Sequence, residues 1–536
     1  MLNQSASPSP RLADAVPASC DVLVVGGGIN GAGIARDLAG RGYSVVLCEK
    51  DDLAAHTSSS STKLIHGGLR YLEYYEFGLV RKALLEREVL LRSAPHIMWP
   101  LRFVMPLDPA NRAGRPAWLI RLGIFLYDHL ARREILDASR GVRLRKSPLG
   151  EPLQPQFTQG FVYSDGWVDD ARLVVLNAID AMNHGAVILT RTRCTRAQRH
   201  ADHWQVDLQA QGGAAASVRA KALVNAAGPW AESFLREQAR PAGAETLAQR
   251  HLRLVKGSHI VVPRLFAHDH AYIFQNADRR IIFAIPYERD FTLIGTTDVE
   301  VGRAESPTIS GDEVAYLCEQ ASRYFARPVR AQDVVWTFAG VRPLLDDDSG
   351  DPAAVTRDYL LERHVEAAPL LSVWGGKITT YRRLAEDAAD ALGQMLQVSR
   401  KPWTEGRCLP GGDLSSWVRV SRHPVRDFRR FVEAVQARHA WLPAALTQRW
   451  ARAYGTRIDD LLRGASSASV LGQQIAPDLF EIEIDYLRRA EWARDPEDVL
   501  WRRSKLGLHY TPAQRQAVHD WWRQHPARHA QEASAT

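Results

Sequence analysis

The chain has 536 residues, 46% apolar and 24% charged, with a formal charge of +7. That length exceeds one ordinary core and points to two or three domains of a soluble globular protein. So small a surplus is no signature of a nucleic-acid partner and none is expected; it suits anionic substrates or an anionic membrane surface, and no run of about 18 apolar residues is present to span a bilayer.

Residues 1–18 lack both a basic n-region and an apolar h-region, so they read as a disordered tail and not as a secretory signal. Residues 526–536 read as a second loose tail. The five cysteines, Cys20, Cys48, Cys194, Cys318 and Cys408, show no paired spacing. This argues against a disulfide framework or zinc site and suits a reducing cytosol. The histidines show no metal-ligand spacing with a nearby acid, so no metal is expected.

The first element is an apolar strand, "DVLVV" (21–25), followed by "GGGINGAG", a helical "IARDLAGRG" and a second strand, "SVVLC" (44–48), ending at Glu49. This is a βαβ unit with the glycine spacing Gly26-x-Gly28-x-x-Gly31. The first glycine makes the tight turn, the second lets a pyrophosphate approach bare backbone, and the third lets helix and strand close together. The helix N-terminus favours phosphate charge, and Glu49 can accept ribose hydroxyls.

Residues 57–71, "TSSSSTKLIHGGLRY", resemble a flexible linker in composition. Their position directly after a ribose-binding acid argues instead for backbone and hydroxyls laid along the dinucleotide. The candidates are Ser58, Ser59, Ser60, Ser61, Lys63, His66, Gly67 and Gly68. Next comes "AWLIRLGIFLYDHLARRE" (117–134), a basic amphipathic helix that suits either the protein core or a membrane interface. Residues 169–184 have helical spacing behind an Asp N-cap. "AVILT" and "HWQVDLQA" read as antiparallel strands, and "KALVNAAGPWA" (221–231) as a strand running into a small-residue turn that includes Ala227 and Gly228. Residues 250–345 carry short alternating runs that imply a mainly antiparallel sheet. "WGGKITTYR" (374–382) places Gly376 and Lys377 before another helix. After a Pro-Gly break, residues 401–525 read as a helical domain.

A nicotinamide enzyme would continue with further βα units. Here polar Ser/Gly sequence intervenes, and a strand ending in small residues returns only at "VNAAGPW". That layout matches flavoproteins in which a substrate domain interrupts the nucleotide sheet, so FAD is the expected cofactor. The expected fold is α/β plus α: a Rossmann-like FAD domain with an interleaved antiparallel substrate domain over 19–400, then the helical domain.

The stretches "DVLVVGGGINGAGIARDLAGRGYSVVLCEK", "TSSSSTKLIHGGLRYLE", "VNAAGPWA", "KGSHIVVP", "GTTDVE", "GVRPLL", "GGKITTYRRLAE" and "EWARDPEDVLWRRSKLGL" resemble the FAD-dependent sn-glycerol-3-phosphate dehydrogenases of aerobic bacteria and mitochondria. The resemblance runs from about residue 21 to about 510. It implies oxidation of sn-glycerol 3-phosphate to dihydroxyacetone phosphate, with electrons passed to a membrane quinone. It also implies peripheral attachment to the cytoplasmic membrane and allows a homodimer. Three readings stay open beside it: an O₂-using oxidase of the same family, an amino-acid or amine oxidase on the same fold, and a non-catalytic flavin-binding protein.

The resemblance makes Arg70 and Tyr71 contacts to substrate phosphate. Arginine suits phosphate because its fork matches two oxygens, which brings in Arg342 of "GVRPLL"; the competing reading pairs it with an acid among 346–348. Lys377 is expected to touch flavin and substrate. His259 is the first candidate for the base that takes the hydroxyl proton and His66 the runner-up, although a strand histidine is often a core residue. Asn30, inside the glycine turn, completes the cofactor set.

Overall fold

A computed structural model describes residues 12–109, 116–241, 247, 250–276, 278, 280–346, 358–421 and 423–526. Two sheets organise the first three-quarters of the chain. The centre of the first is parallel. In order it runs Val187–Leu189, Val45–Cys48, Ser19–Val25, Ala215–Asn225 and Leu370–Gly375. Its strands are apolar on both faces, one packed against helices and the other against the strands Thr192–Arg199 and Trp204–Ala210 and the short helix Ala231–Glu237. The helix Ile29–Gly40 is itself almost wholly buried, packed between Asp170–Asn183 and Tyr381–Met395. Asp169 caps the second of these helices by accepting from Arg172 N–H at 3.2 Å.

Two readings of the sequence change here. "AVILT" does not pair antiparallel: Val187–Leu189 joins the parallel sheet beside Val45–Cys48. Its unbroken apolar run is the mark of a strand buried on both faces. "HWQVDLQA" is antiparallel, but its partners are Thr192–Arg199, a strand too polar to be noticed in sequence, and the first half of Ala215–Asn225. The second half of that long strand takes Leu370–Gly375 on the same edge.

The second sheet holds Leu252–Pro263, Ala271–Gln275, Ile281–Tyr287, Phe291–Gly295 and Trp336–Leu345, all paired antiparallel. It extends beyond that span, because Met98–Pro106, Gln159–Val168 and Leu64–Ile65 continue it through one parallel step. The C-terminal helices, among them Pro424–Arg438, Ala444–Tyr454, Glu481–Ala490 and Pro512–Gln524, surround a core of their own. Phe431, Trp450, Leu487 and Val499 lie within it. Some of the residues read as an N-terminal tail are structured. Leu12–Ala15 forms a helical turn and Val16 is buried, because Leu12 and Val16 pack on the apolar side of the first sheet. Residues 1–11 and 527–536, where the loose tails were expected, lie outside the described residues.

Candidate active site

The glycine turn is built by close approach. Gly26 has φ +113°, and a Cβ there would stand 2.4 Å from the Ala226 carbonyl oxygen. A Cβ on Gly31 would stand 1.9 Å from the Gly26 oxygen, so the third glycine brings helix against strand and does not itself reach a ligand. Glu49 is buried, and its two oxygens accept from Gly27 N–H at 2.7 Å and Asp51 N–H at 2.8 Å. Burial raises its pKa while these two bonds oppose the rise. Each oxygen keeps a further lone pair for a ribose hydroxyl.

A cavity of about 630 Å³ opens beside this turn. Gly26, Gly28, Asn30 and Glu49 line it, as do Ser58, Ser60, Ser61 and His66 of the serine run. Ala227, Gly228, Gly376 and Lys377 line it from the two returning strands, and Tyr71, His259 and Arg342 complete the set. Residues 351 positions apart in sequence, Gly26 and Lys377, thus meet in one chamber. The serine run does lie along the glycine turn: Ser58 Oγ accepts from Ile29 N–H, the first amide of the helix, at 3.0 Å.

Six candidates lie elsewhere than on the wall of the chamber. Gly31 is the packing glycine just described. Lys63 turns inward; its ammonium donates to both Asp170 oxygens at 2.8 and 3.0 Å and to the Ser59 carbonyl at 3.0 Å. A buried cation needs that partner, which holds it away from a cofactor. Ser59 Oγ donates to the His56 carbonyl at 3.2 Å. Gly67 and Gly68 serve the turn: Gly67 N–H donates to Tyr127 Oη at 2.7 Å, and a Cβ on Gly68 would stand 2.1 Å from the Tyr71 ring. Arg70 donates to Tyr74 Oη at 3.4 Å, within its own 3₁₀ turn Leu69–Tyr74.

At the substrate end, Arg342 projects from Trp336–Leu345 and pairs with Asp298 at 2.7 Å; of the acids 346–348 expected as its partners, 347 and 348 lie outside the described residues. Its Nη2 also donates to the Thr297 carbonyl at 2.9 Å. The Lys377 ammonium sits 3.7 Å from the centre of the Tyr71 ring. His259 is buried and stacked on Phe338 at 4.7 Å, with Nε2 3.0 Å from Thr62 Oγ1. Burial, then the charges of Lys63 and Arg342, push its pKa down to about 3. The imidazole is therefore the free base at neutral pH, although a weak one.

Several lining or supporting residues escaped the sequence reading. Thr62 faces His259, and Asp298 pairs with Arg342. Lys50 lies over the Trp230 ring at 4.6 Å, and His56 packs edge-on against it at 4.6 Å. "GTTDVE" was conspicuous as a stretch, yet nothing local tells which of its groups meets an arginine. Glu49, Asp51 and His56 also bring ligand atoms within 4.8 Å of one another, a grouping that linear metal spacing does not reveal. Donors from the protein already engage this grouping: Asp51 bonds His56 at 2.7 Å and pairs with Lys50, and Glu49 takes one amide at each oxygen.

Residues 21–382 match the FAD dependent oxidoreductase family, and residues 403–522 match the C-terminal domain of alpha-glycerophosphate oxidase. A glycerol-3-phosphate dehydrogenase of Pseudomonas aeruginosa is 51% identical over 519 residues, 96% of each chain. A D-erythritol 1-phosphate dehydrogenase of Brucella abortus is 48% identical, over 95% of this chain and 98% of its own. Among solved structures, the glycerol-3-phosphate dehydrogenase of Bacillus halodurans complexed with FAD superposes with a TM-score of 0.69 at 27% identity, covering 94% of both chains. The chamber beside the glycine turn suits the cofactor of that family, with bare backbone where a pyrophosphate would lie and a buried acid where a ribose would lie. Near-full-length identity of this order, on the same fold and around the same glycine turn, means that the chain belongs to the FAD-dependent glycerol-3-phosphate dehydrogenase family.

Proposed function

We propose that the chain oxidises sn-glycerol 3-phosphate at C2 to dihydroxyacetone phosphate and that its electrons pass on to a membrane quinone. The observation that carries this reading is the meeting of Arg342, Lys377, Tyr71 and His259 in the chamber that begins at the nucleotide turn. FAD supplies the acceptor for the hydride that leaves C2. Arg342 grips the phosphate with its fork, and Lys377, held over Tyr71, adds a second positive charge. His259 takes the hydroxyl proton on Nε2, the atom now facing Thr62. Arg70 bonds Tyr74 and is the chain neighbour of Tyr71, which lines the chamber, so we assign it a part in phosphate binding secondary to that of Arg342.

Among the described residues no helix is long and apolar enough to cross a membrane. Attachment to the cytoplasmic membrane is then peripheral, and the helix Ala117–His129 is our candidate surface. The Brucella relative, by its name, acts on a longer phosphorylated polyol, so D-erythritol 1-phosphate is the competing substrate.

Flavin bleaching under anaerobic conditions, followed by re-oxidation with a quinone analogue or O₂, tests the reading. Bleaching should be fast with sn-glycerol 3-phosphate and negligible with glycerol or amino acids. Arg342→Ala should keep its FAD spectrum and lose roughly 30- to several-thousand-fold in kcat/KM, the loss of one charge-assisted partner at about 2–5 kcal/mol. Arg342→Lys should recover part of this, because it keeps the charge without the fork. Faster bleaching by the tetritol phosphate would reassign the substrate, and faster re-oxidation by O₂ the acceptor.

A further inference from the structure

The geometry points to Glu313 as a positioning residue for Arg342: from behind the second sheet it fixes the Thr296–Asp298 segment on which the guanidinium rests. This depends on the reading that Arg342 grips the substrate phosphate.

Glu313 lies in the first turn of the helix Gly311–Ser322 and is 6% exposed. Four donors converge on its carboxylate. Oε1 accepts from Ser258 Oγ at 2.8 Å and Thr297 Oγ1 at 2.7 Å. Oε2 accepts from Ser310 N–H at 2.9 Å and the Lys256 ammonium at 2.8 Å. A helix cap alone would use only Ser310. The other three donors come from two different segments of the sheet that bear the substrate site.

The chain of bonds then runs toward the chamber. Thr297 Oγ1 also accepts from Ser258 N–H at 3.0 Å, which locks its hydroxyl hydrogen toward Glu313. The Thr297 carbonyl accepts from Arg342 Nη2 at 2.9 Å, and the next residue, Asp298, pairs with the same nitrogen at 2.7 Å. Beneath the guanidinium lies Gly257, where a Cβ would stand 2.5 Å from Arg342 Nη2 and 2.7 Å from Thr296 Oγ1. The arginine therefore lies close against bare strand, and the 296–298 segment holds its Nη2. Ser258, tied to the same carboxylate, is the chain neighbour of His259. One acid thus steadies the walls that carry both the proposed anion grip and the proposed base.

All four groups donate, so only an acceptor with lone pairs on both sides satisfies them. Burial opposes ionisation of Glu313, but the bonds from Lys256, Ser310, Thr297 and Ser258 outweigh it and hold the carboxyl at about 2. A glutamine would turn an NH₂ group toward Lys256 and Ser310 or displace the Thr297 hydroxyl. Either way the 296–298 segment loses its anchor while the charge of Arg342 remains.

The test uses steady-state kinetics on the FAD-loaded full chain, with inorganic phosphate as a competitive inhibitor that reports the grip alone. Glu313→Gln should raise KM for sn-glycerol 3-phosphate and Ki for phosphate by about tenfold, with kcat changed less than about threefold and the flavin spectrum kept. Thr297→Val, which cuts the same chain of bonds without touching the acid, should move both constants in the same direction. Ser310→Ala removes a side-chain cap of the helix and should lower Tm without moving either constant. In an Arg342→Ala background, Glu313→Gln should add nothing further. The inference is overturned if neither Glu313→Gln nor Thr297→Val moves Ki, or if the Glu313 and Arg342 effects add fully. If Arg342→Ala itself leaves both constants unchanged, the phosphate grip falls and this inference with it; if only the Arg342 variant responds, the grip stands and Glu313 is a helix cap.

Discussion

His96 is wholly buried, and neither of its ring nitrogens has a hydrogen-bond partner. Burial, then the charges of Arg172, Arg452 and Arg457, push its pKa down to about 3, against the ordinary 6.5. The unfolded chain therefore binds more protons than the folded one between those values. The sign follows: the contribution is complete above pH 6.5 and is lost as pH falls toward 3, at up to about 1.4 kcal/mol per unit. His259 has the same sign where no ligand perturbs it. Tm should drop between pH 7.5 and 5.5, and His96→Gln should shrink that drop. Calorimetry on both proteins checks it, and an unchanged slope would place the acid sensitivity elsewhere. Carboxyls such as Glu313, held at about 2, do not titrate in this window.

The helix Ala117–His129 shows how one element can face two ways. Ile124, Tyr127 and Asp128 are buried, and Tyr127 Oη ties to Asp165 at 2.7 Å. Trp118 is 69% exposed, and Leu122, Phe125 and Leu126 stand out beside it. The helix packs on the turn Leu69–Tyr74, which leads to exposed Tyr75 and Phe77. Apolar and aromatic side chains gathered in this way, with Arg121 and Arg132 nearby, suit an anionic lipid interface. The double change Leu122→Glu with Phe125→Glu should abolish sedimentation with anionic vesicles and spare turnover with a soluble acceptor. Retained sedimentation would move the contact to another face. A peripheral electrostatic share should weaken in high salt, because each basic residue contributes about 1 kcal/mol before screening.

At the scale of the whole molecule, the C-terminal domain clasps the nucleotide-binding one through buried charge. Asp52, three residues beyond Glu49, accepts from Arg502 Nε at 2.6 Å and from Arg503 at 2.5 and 2.8 Å. Arg191 reaches Asp498 at 2.9 Å, and Arg172 forms a two-pronged pair with Glu491. Trp501 stacks on Trp336 at 4.7 Å, and Trp336 packs on Phe338, the ring beneath His259. The distal domain thus touches the ribose-acid turn and the wall of the substrate site. Removing one member of a buried charge group leaves the others uncompensated, at about 3–5 kcal/mol. Asp52→Ala should therefore lower Tm clearly and weaken FAD retention, measured by calorimetry and by flavin released on gel filtration. An unchanged Tm would mean that the clasp is relaxed by solvent.

What could be read along the chain was what short-range sterics decide. The closure of Gly31 on Gly26 and the Asp169 cap depend on neighbours within a few residues, and the spacing of the glycine motif carried Glu49 with it. Conspicuous composition and family resemblance located the serine run and Arg342, but composition could not say which groups face a ligand. Lys63 and Arg70 look alike as cations on one stretch; only the distant Asp170 draws Lys63 inward, while Arg70 bonds Tyr74 within its own 3₁₀ turn. Val187–Leu189 could join either kind of sheet until the neighbouring strand and covering helix were in place. Asp298 and Glu313 acquire meaning only when strands 45 and more residues apart bring Thr297 to Arg342. Local backbone preference is a property of the sequence itself. The partner that satisfies a buried charge is chosen by long-range pairing, and the tertiary structure alone decides that.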